Sequence, residues 1–342
     1  MAPDPMFAWQ YTPSGRGLEN DLSFNAKAPL AAAKKGPRVL VKVLRASINP
    51  ADFKLLEMPL FPRFIGTPIT PGTSFVGRVA ESESASWQAG DLVLGSLQIY
   101  PKHGALAEYV AAGPGDVLVK LDAGLRPRVD ELAGVDVAAM TAFYTLQGLR
   151  PGDKVFLNGA SGGTGTFGVQ LAKALGLEVV GSCSTRNVDL VRGLGADAVI
   201  DYATSNIVEE LRKNVERSGK PFNRIVQNVS AGAGELYYAS HTVLDPAGAF
   251  YFVGMGTSMG AMFETAKMAL WPGFLGGGKR KLEMPTTPLE ATLLEEPLKM
   301  VVEGKIKRVL DESYELHDVP RAFAKLKTGR ATGKITVVVS DD

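Results

Sequence analysis

Residues 155–176, VFLNGASGGTGTFGVQLAKALG, constrain the fold more than any other stretch of the chain. An apolar run gives way to small residues and then to a helical pattern. Ala160, Gly162 and Gly165 therefore fall in an A-x-G-x-x-G loop joining a strand to a helix. In such a loop Gly162 lets the backbone approach a pyrophosphate and Gly165 lets helix and strand pack closely. The N–H groups of Gly163 and Thr164 open a helix whose positive end faces the anion. A tight turn would explain an isolated glycine triplet equally well. Here further alternations follow, with strands expected at KVFLN, EVVGSC, DAVIDY, RIVQNV and GAFYFVG and helical stretches between them. Right-handed crossovers then give a doubly wound parallel sheet that binds a dinucleotide at the carboxyl ends of its strands.

Ahead of this region, residues 38–119 carry short β-branched runs punctuated by Gly, Pro and Asp, which predict an all-β unit, a partly open barrel. The closing segment predicts two helices and a last strand that returns to this first unit. The loop GGGKRKLEMPTTP reads as a surface excursion. A chain of 342 residues accommodates two domains. The expected boundaries are 1–122 with 290–342 for the first and 123–289 for the second.

Composition removes several classes of function. With 45% hydrophobic residues, 21% charged residues and a net charge of +1, neither a disordered chain nor a polybasic nucleic-acid surface is expected. Cys183 is the only cysteine, so no internal disulfide forms, and with His103, His241 and His317 scattered, no metal site is expected. The start MAPDPMFAWQ lacks a basic region followed by an apolar run. Glu264, Lys267 and Pro272 interrupt the apolar stretch 254–278, so no membrane span is expected. The default expectation is a cytoplasmic protein acting on a small molecule.

The nucleotide type follows from the end of the second strand of the alternating region. Where an acidic residue would hold the ribose diol of NAD, this chain has Ser182-Cys183-Ser184-Thr185-Arg186-Asn187. Arg186 with the Ser184 and Thr185 hydroxyls suits a 2′-phosphate, which favours NADPH. Arg186 opening the next helix as a solvated residue is the competing reading.

The motifs INPADFK (48–54), PGTSFVG (71–77), GDLVLG (90–95), GALAEYV (104–110), AAMTAFYTL (138–146), NGASGGTG, STRNVDLVRGLGADAVIDY (184–202), YFVGMG and GRATGKITVVV resemble the medium-chain dehydrogenase/reductase superfamily. The resemblance is specifically to its zinc-free quinone oxidoreductase and alkenal or enoyl reductase branch. It implies a GroES-like β-barrel catalytic domain plus a Rossmann domain, and hydride transfer from NADPH to an electron-poor C=C bond or a quinone. It further implies Thr141 at the nicotinamide and Ser161, Gly162, Gly163, Thr164 and Gly165 at the pyrophosphate. Ser184, Thr185, Arg186 and Tyr202 would surround the 2′-phosphate. Val229, Gly254 and Met255 would line the nicotinamide ribose, with Lys334 near the cofactor. Zinc-dependent relatives carry a cysteine where Asn49 stands and a histidine where Thr73 stands. Ser74, where aspartate is usual, and Gln227-Asn228-Val229-Ser230, in place of Asp-x-Val-Gly, depart from the branch pattern.

Reduction of an enone requires stabilisation of an enolate and protonation of its α-carbon. Lys54 is the candidate donor, since burial lowers the pKa of an ammonium, and Asn49 could orient a carbonyl. Asn49-Pro50-Ala51-Asp52 is equally a helix start, with an Asn cap, Pro at the first helical position and Asp in the first turn, so Asn49 and Asp52 divide between capping and the active site. Tyr100 and Phe53 could wall a pocket, and water could supply the proton. Three outcomes stay open: a reductase of enones or quinones, a trans-acting enoyl or other tailoring reductase of a biosynthetic pathway, and a non-catalytic nucleotide-binding or trafficking protein. By analogy with the branch, a homodimer could form through GAFYFVG as a sheet edge.

Overall fold

A computed structural model describes residues 5–30, 37–58, 61–98 and 102–341. The chain divides into two compact units, one running up to Met140 and including Pro288–Asp342, the other Thr141–Thr287. The first division falls after Met140, later than the boundary expected after residue 122. Residues 123–140 belong with the first unit because Asp130 forms an ion pair with Arg45 at 2.5 Å, and Arg128 donates to the carbonyls of Val301 and Val302.

In chain order, β1 (Met6–Tyr11) and β2 (Leu22–Ala28) form an antiparallel ribbon. There follow β3 (Val39–Ile48), β4 (Ser74–Ser82), β5 (Leu92–Ser96), β6 (Tyr109–Ala112) and β7 (Val117–Lys120). Alternation on β3 shows how the barrel closes around its core. Val39, Val41 and Val43 point into the main cluster with Phe75 and Val93, while Leu40 points the other way, into a cluster with Met6 and Ala107. Pairing with β4 then skips Leu44, so parity flips and Ala46 and Ile48 re-enter the same core. A bulge of this kind re-aims every side chain that follows, which here turns Ser47 and Asn49 into one buried polar region.

The second unit is a six-stranded parallel sheet of β8 (Lys154–Asn158), β9 (Glu178–Cys183), β10 (Ala198–Asp201), β11 (Phe222–Gln227), β12 (Leu244–Phe252) and β13 (Lys281–Glu283), in the order β10-β9-β8-β11-β12-β13. This is the doubly wound order expected from the alternation, with the switch point at β8. Phe156, Phe222 and Phe250 fill its core. The segment GAFYFVG is not an edge: β13, within the loop expected to be a surface excursion, pairs with β12 through Ala249, Phe250 and Tyr251. GAFYFVG therefore does not offer the free sheet edge on which the expected dimer rested, since Ala249–Tyr251 are already paired.

Back in the first unit, β14 (Leu310–Glu315) and β15 (Lys334–Val338) complete a seven-stranded sheet. The return of the closing segment is as expected, and β15 pairs antiparallel with β3. Among the described residues no helix is long and apolar enough to cross a membrane.

Candidate active site

The carboxyl ends of β8, β9, β11 and β12 gather the residues expected to hold a nucleotide. The helix Gly163–Ala174 starts straight from the glycine loop, and no side chain caps its first turn. Its leading amides are thus open to an anion. Gly165 has the expected packing role, because a Cβ there would lie 2.2 Å from the Gly159 carbonyl oxygen. Gly162 is different. Its φ of −80° suits any residue, and a Cβ would meet nothing closer than the Gly159 oxygen at 3.5 Å. Neither torsion nor packing inside the chain demands glycine there; the open space suits the close approach of a pyrophosphate, so the cradle fits a dinucleotide.

Two contacts join the neighbouring loops to this cradle. Asn187 donates to Ser161 Oγ at 3.1 Å, bringing the Ser184–Asn187 loop against the glycine loop. On the other side, a Cβ on Gly159 would touch the Val229 side chain at 2.9 Å. Val229, Met255 and Tyr202 are apolar or aromatic side chains left exposed around the loops, as the rim of a ligand site would be. Gly254 serves packing instead, since a Cβ there would strike the Asn228 backbone at 2.3 Å. Thr141 is buried, with its hydroxyl oxygen accepting from the Thr287 hydroxyl at 3.2 Å.

One sequence inference at this edge needs correction. The absence of an acidic residue in the 182–187 stretch does not leave the region free of carboxylate: Asp201 ends β10 directly beside Cys183, and the Thr185 hydroxyl donates to it, holding it below the usual carboxylate range. Thr185 is thus committed to Asp201. Ser184, exposed Arg186 and exposed Tyr202, whose amide donates to the Cys183 carbonyl, lie along the same edge.

Beneath the loops runs a neutral relay that sequence reading missed. Ser182 donates to Asn158 Oδ1 at 2.5 Å, Asn158 donates to Gln227 Oε1 at 2.6 Å, and Gln227 Nε2 donates to the carbonyls of Val229 and Ala231. Ser182 Oγ also accepts from the Gly159 amide at 3.2 Å. Three adjacent strands are thereby tied to the glycine loop and to the loop after β11. Gln227, flagged as a departure from the branch pattern, is the hinge of this relay. A carboxylate there would lack the amide donors that Gln227 supplies.

The first unit holds the other candidates. Register places Ile335 opposite Ile48, so Lys334 falls beside Asn49, and its ammonium donates to Asn49 Oδ1 at 2.5 Å. Asn49 Nδ2 donates in turn to Ser74 Oγ at 2.9 Å. Asp52 takes the Asn49 amide on one oxygen at 2.6 Å and the Thr73 hydroxyl on the other at 3.0 Å. The helix-start reading of Asn49 and Asp52 is therefore realised in the helix Pro50–Lys54. Lys334, expected near the cofactor, has its ammonium committed to this cluster.

The cluster contains two acids for one base. Burial pushes Asp52 up to about 6, against the hydrogen bonds from Asn49 and Thr73 and the pull of Lys334. Burial likewise pushes Asp136 up to about 6, opposed by Lys334 and by the Ser74 hydroxyl. Lys334 is pushed down by burial, with both aspartates opposing. Ser47, Ser74 and Ser96 stand in register across β3, β4 and β5 and are all buried. Lys54 ends the short helix half-buried, and burial pushes its ammonium down, the direction a proton donor needs. Phe53 packs against the barrel core, with the Lys327 ammonium 5.9 Å from its ring centre, rather than walling a pocket. Tyr100 lies outside the described residues.

Residues 35–123 match the alcohol dehydrogenase GroES-like domain, and residues 194–337 match a domain described as zinc-binding dehydrogenase. The trans-enoyl reductase pgmF of Aspergillus terreus is 40% identical over 357 residues, covering 99% of this chain and 98% of that protein. The chloroplast envelope quinone oxidoreductase homolog of Arabidopsis thaliana is 31% identical over 353 residues, covering 98% and 99%. The solved quinone oxidoreductase of Coxiella burnetii superposes with a TM-score of 0.80 at 24% identity, covering 98% and 99%, a likeness of fold. The chain belongs to the medium-chain dehydrogenase/reductase superfamily, in its zinc-free quinone oxidoreductase and enoyl reductase branch, and is an oxidoreductase. Zinc does not fit the residues present. An amide and a hydroxyl occupy the positions of cysteine and histidine ligands, both are held in hydrogen bonds, and an ammonium touches the amide. Among the described residues no three His, Cys, Asp or Glu come together as a metal site.

Proposed function

We infer that this protein is an NADPH-dependent reductase of activated C=C bonds, with an α,β-unsaturated acyl group as the substrate it fits best. The observation that carries the reading is the open cradle at Gly162, beneath loops fixed by the Ser182–Asn158–Gln227 relay and beside Arg186. NADPH, when bound, supplies the hydride. The chain's own residues do the rest. Amides of Gly163 and Thr164 bind the pyrophosphate, and Ser184, Arg186 and Tyr202 bind the 2′-phosphate. Val229 and Met255 cover the ribose and exclude water. Lys54 holds the proton that passes to the α-carbon of the enolate, and its lowered pKa eases that transfer. The enoyl substrate is favoured over a quinone by the identity to a trans-enoyl reductase over nearly the full length of both chains.

NADPH oxidation with a panel of enoyl thioesters, enones and quinones tests this, using the wild type and Lys54→Met. Enoyl thioesters are expected to be consumed fastest, and the variant to lose roughly a hundredfold in kcat together with the alkaline limb of the pH profile. Tight NADPH binding without turnover of any member would instead favour a non-catalytic nucleotide-binding protein.

A further inference from the structure

The helix Met259–Leu270 is turned inside out. On a helix packed against its own domain, apolar residues face inward and charges outward. Here Met259, Met262, Phe263 and Leu270, at spacings of three, four and seven along one stripe, face outward, and Met259, Phe263 and Leu270 are 81%, 72% and 79% exposed. Glu264 faces the domain, its Oε1 against Gly234, while Lys267 on the flank of the stripe reaches back to within 5.3 Å of the centre of the Tyr238 ring. Only Met268 of this helix is buried. An apolar stripe of this kind marks a surface that a ligand or a partner covers.

Its place in the fold says which ligand. A Cβ on Gly256 would meet Ala261 Cβ at 2.7 Å and Ser230 Cβ at 3.3 Å, so the first turn of the helix abuts the loops after β11 and β12. Those are the loops that carry exposed Val229 and Met255, the side chains assigned to the nicotinamide ribose. The apolar stripe thus begins beside the loops proposed to line the nicotinamide end of the nucleotide site. It leads away from it for about 16 Å along the helix from Met259 to Leu270. Methionines at its start conform to a flexible chain more readily than branched side chains do.

We propose that the exposed stripe Met259–Met262–Phe263–Leu270 is the binding surface for a long, apolar acyl chain carried by the unsaturated substrate. The proposal rests on the reductase reading and gives its substrate class: an enoyl thioester whose hydrocarbon extends well beyond the reacting double bond. The chain lies along the helix while the double bond stays at the nicotinamide end.

The test compares crotonyl with dodecenoyl N-acetylcysteamine thioesters in NADPH oxidation, for the wild type, Phe263→Ser and Met259→Ser. Both positions are so exposed that serine leaves the fold intact. The wild type is expected to favour the long chain in kcat/KM by at least a hundredfold, given roughly fourfold per buried methylene. Each variant is expected to lower the long-to-short ratio at least tenfold, mainly through KM. Calorimetry with the saturated dodecanoyl and butanoyl thioesters reads the same surface without turnover: only the long chain is expected to bind tightly, and Phe263→Ser to narrow the difference at least tenfold. Equal affinities for the two saturated thioesters would overturn the proposal. So would a dimer in sedimentation that Phe263→Ser dissociates, because the stripe would then serve a second copy. Turnover of neither thioester, with chain-length-dependent binding preserved, would count against the reductase reading alone.

Discussion

The two units each bury a polar network, and the networks differ in kind. At the carboxyl edge of the Thr141–Thr287 unit, Ser182, Asn158 and Gln227 are neutral and hydrogen-bonded from end to end. In the first unit, Lys334, Asp52 and Asp136 are ionisable, with two acids for one base, and the Ser47 and Ser96 hydroxyls have no hydrogen-bond partner among the described residues. A satisfied neutral relay fixes shape at little electrostatic cost, whereas a buried charge cluster holds only while its charges balance. The first therefore governs where the glycine loop and the loop after β11 sit, and the second makes the stability of its unit depend on pH.

The largest expected effect comes from unbalancing the charges. Lys334→Met leaves Asp52 and Asp136 without their cation and Asn49 Oδ1 without its donor, and is expected to cost about 3–5 kcal/mol at pH 7. Urea unfolding at pH 7 and pH 5 checks this, with a smaller loss at pH 5 as the aspartates take up protons. Breaking the neutral relay should cost less and show up elsewhere. Gln227→Leu strands the Asn158 amide and the Val229 and Ala231 carbonyls, for about 2–3 kcal/mol. Its loss is expected to be insensitive to pH between 5 and 7, with NADPH affinity falling alongside stability in calorimetry.

Arg186 belongs to neither network, so Arg186→Ala sharpens the contrast by testing nucleotide affinity apart from both. NADPH is expected to bind about tenfold more weakly and NADH to change little, measured by calorimetry at fixed ionic strength. The smallest effect is a slope. Asp52 and Asp136 titrate near 6 in the folded protein, above the 3.8 of an unperturbed aspartate, so the folded state binds more protons between these values. Stability contributed by these groups therefore rises as pH falls from 7 to 5, by about 1 kcal/mol for each. Asp21 works in the opposite sense, being held low chiefly by the Ser14 hydroxyl, but only as pH approaches 3.8. Asp136→Asn should remove about half of the slope in denaturation measured at steps of pH.

Legibility in the sequence followed the range of the interactions. The strand–loop–helix unit at Gly162 and the helix start at Asn49-Pro50-Ala51-Asp52 are local, so spacing alone disclosed them. The Lys334 cluster joins residues far apart in the chain, and no local pattern brings Asp136 to Lys334. Asp201 escaped notice for a related reason: it reaches Thr185 sideways across parallel strands, not along one. The strands β13 and β14, KLE and LDESYE, were missed because edge strands pair through backbone groups and carry charged side chains, leaving no apolar period to read. Gln227 was visible only as a departure, since its partners lie on β8 and in the loop after β11.

Central to the proposed function is hydride delivery to carbon with Asn49 and Thr73 standing in place of zinc ligands. NADPH deuterated at its transferable position, incubated with an enoyl thioester in the presence of a chelator, tests it most directly by mass spectrometry and NMR of the product. One deuterium at the β-carbon of a saturated thioester with its carbonyl intact is the predicted result. Deuterium on the carbonyl carbon of an alcohol or aldehyde product, or activity that the chelator abolishes and zinc restores, would contradict it.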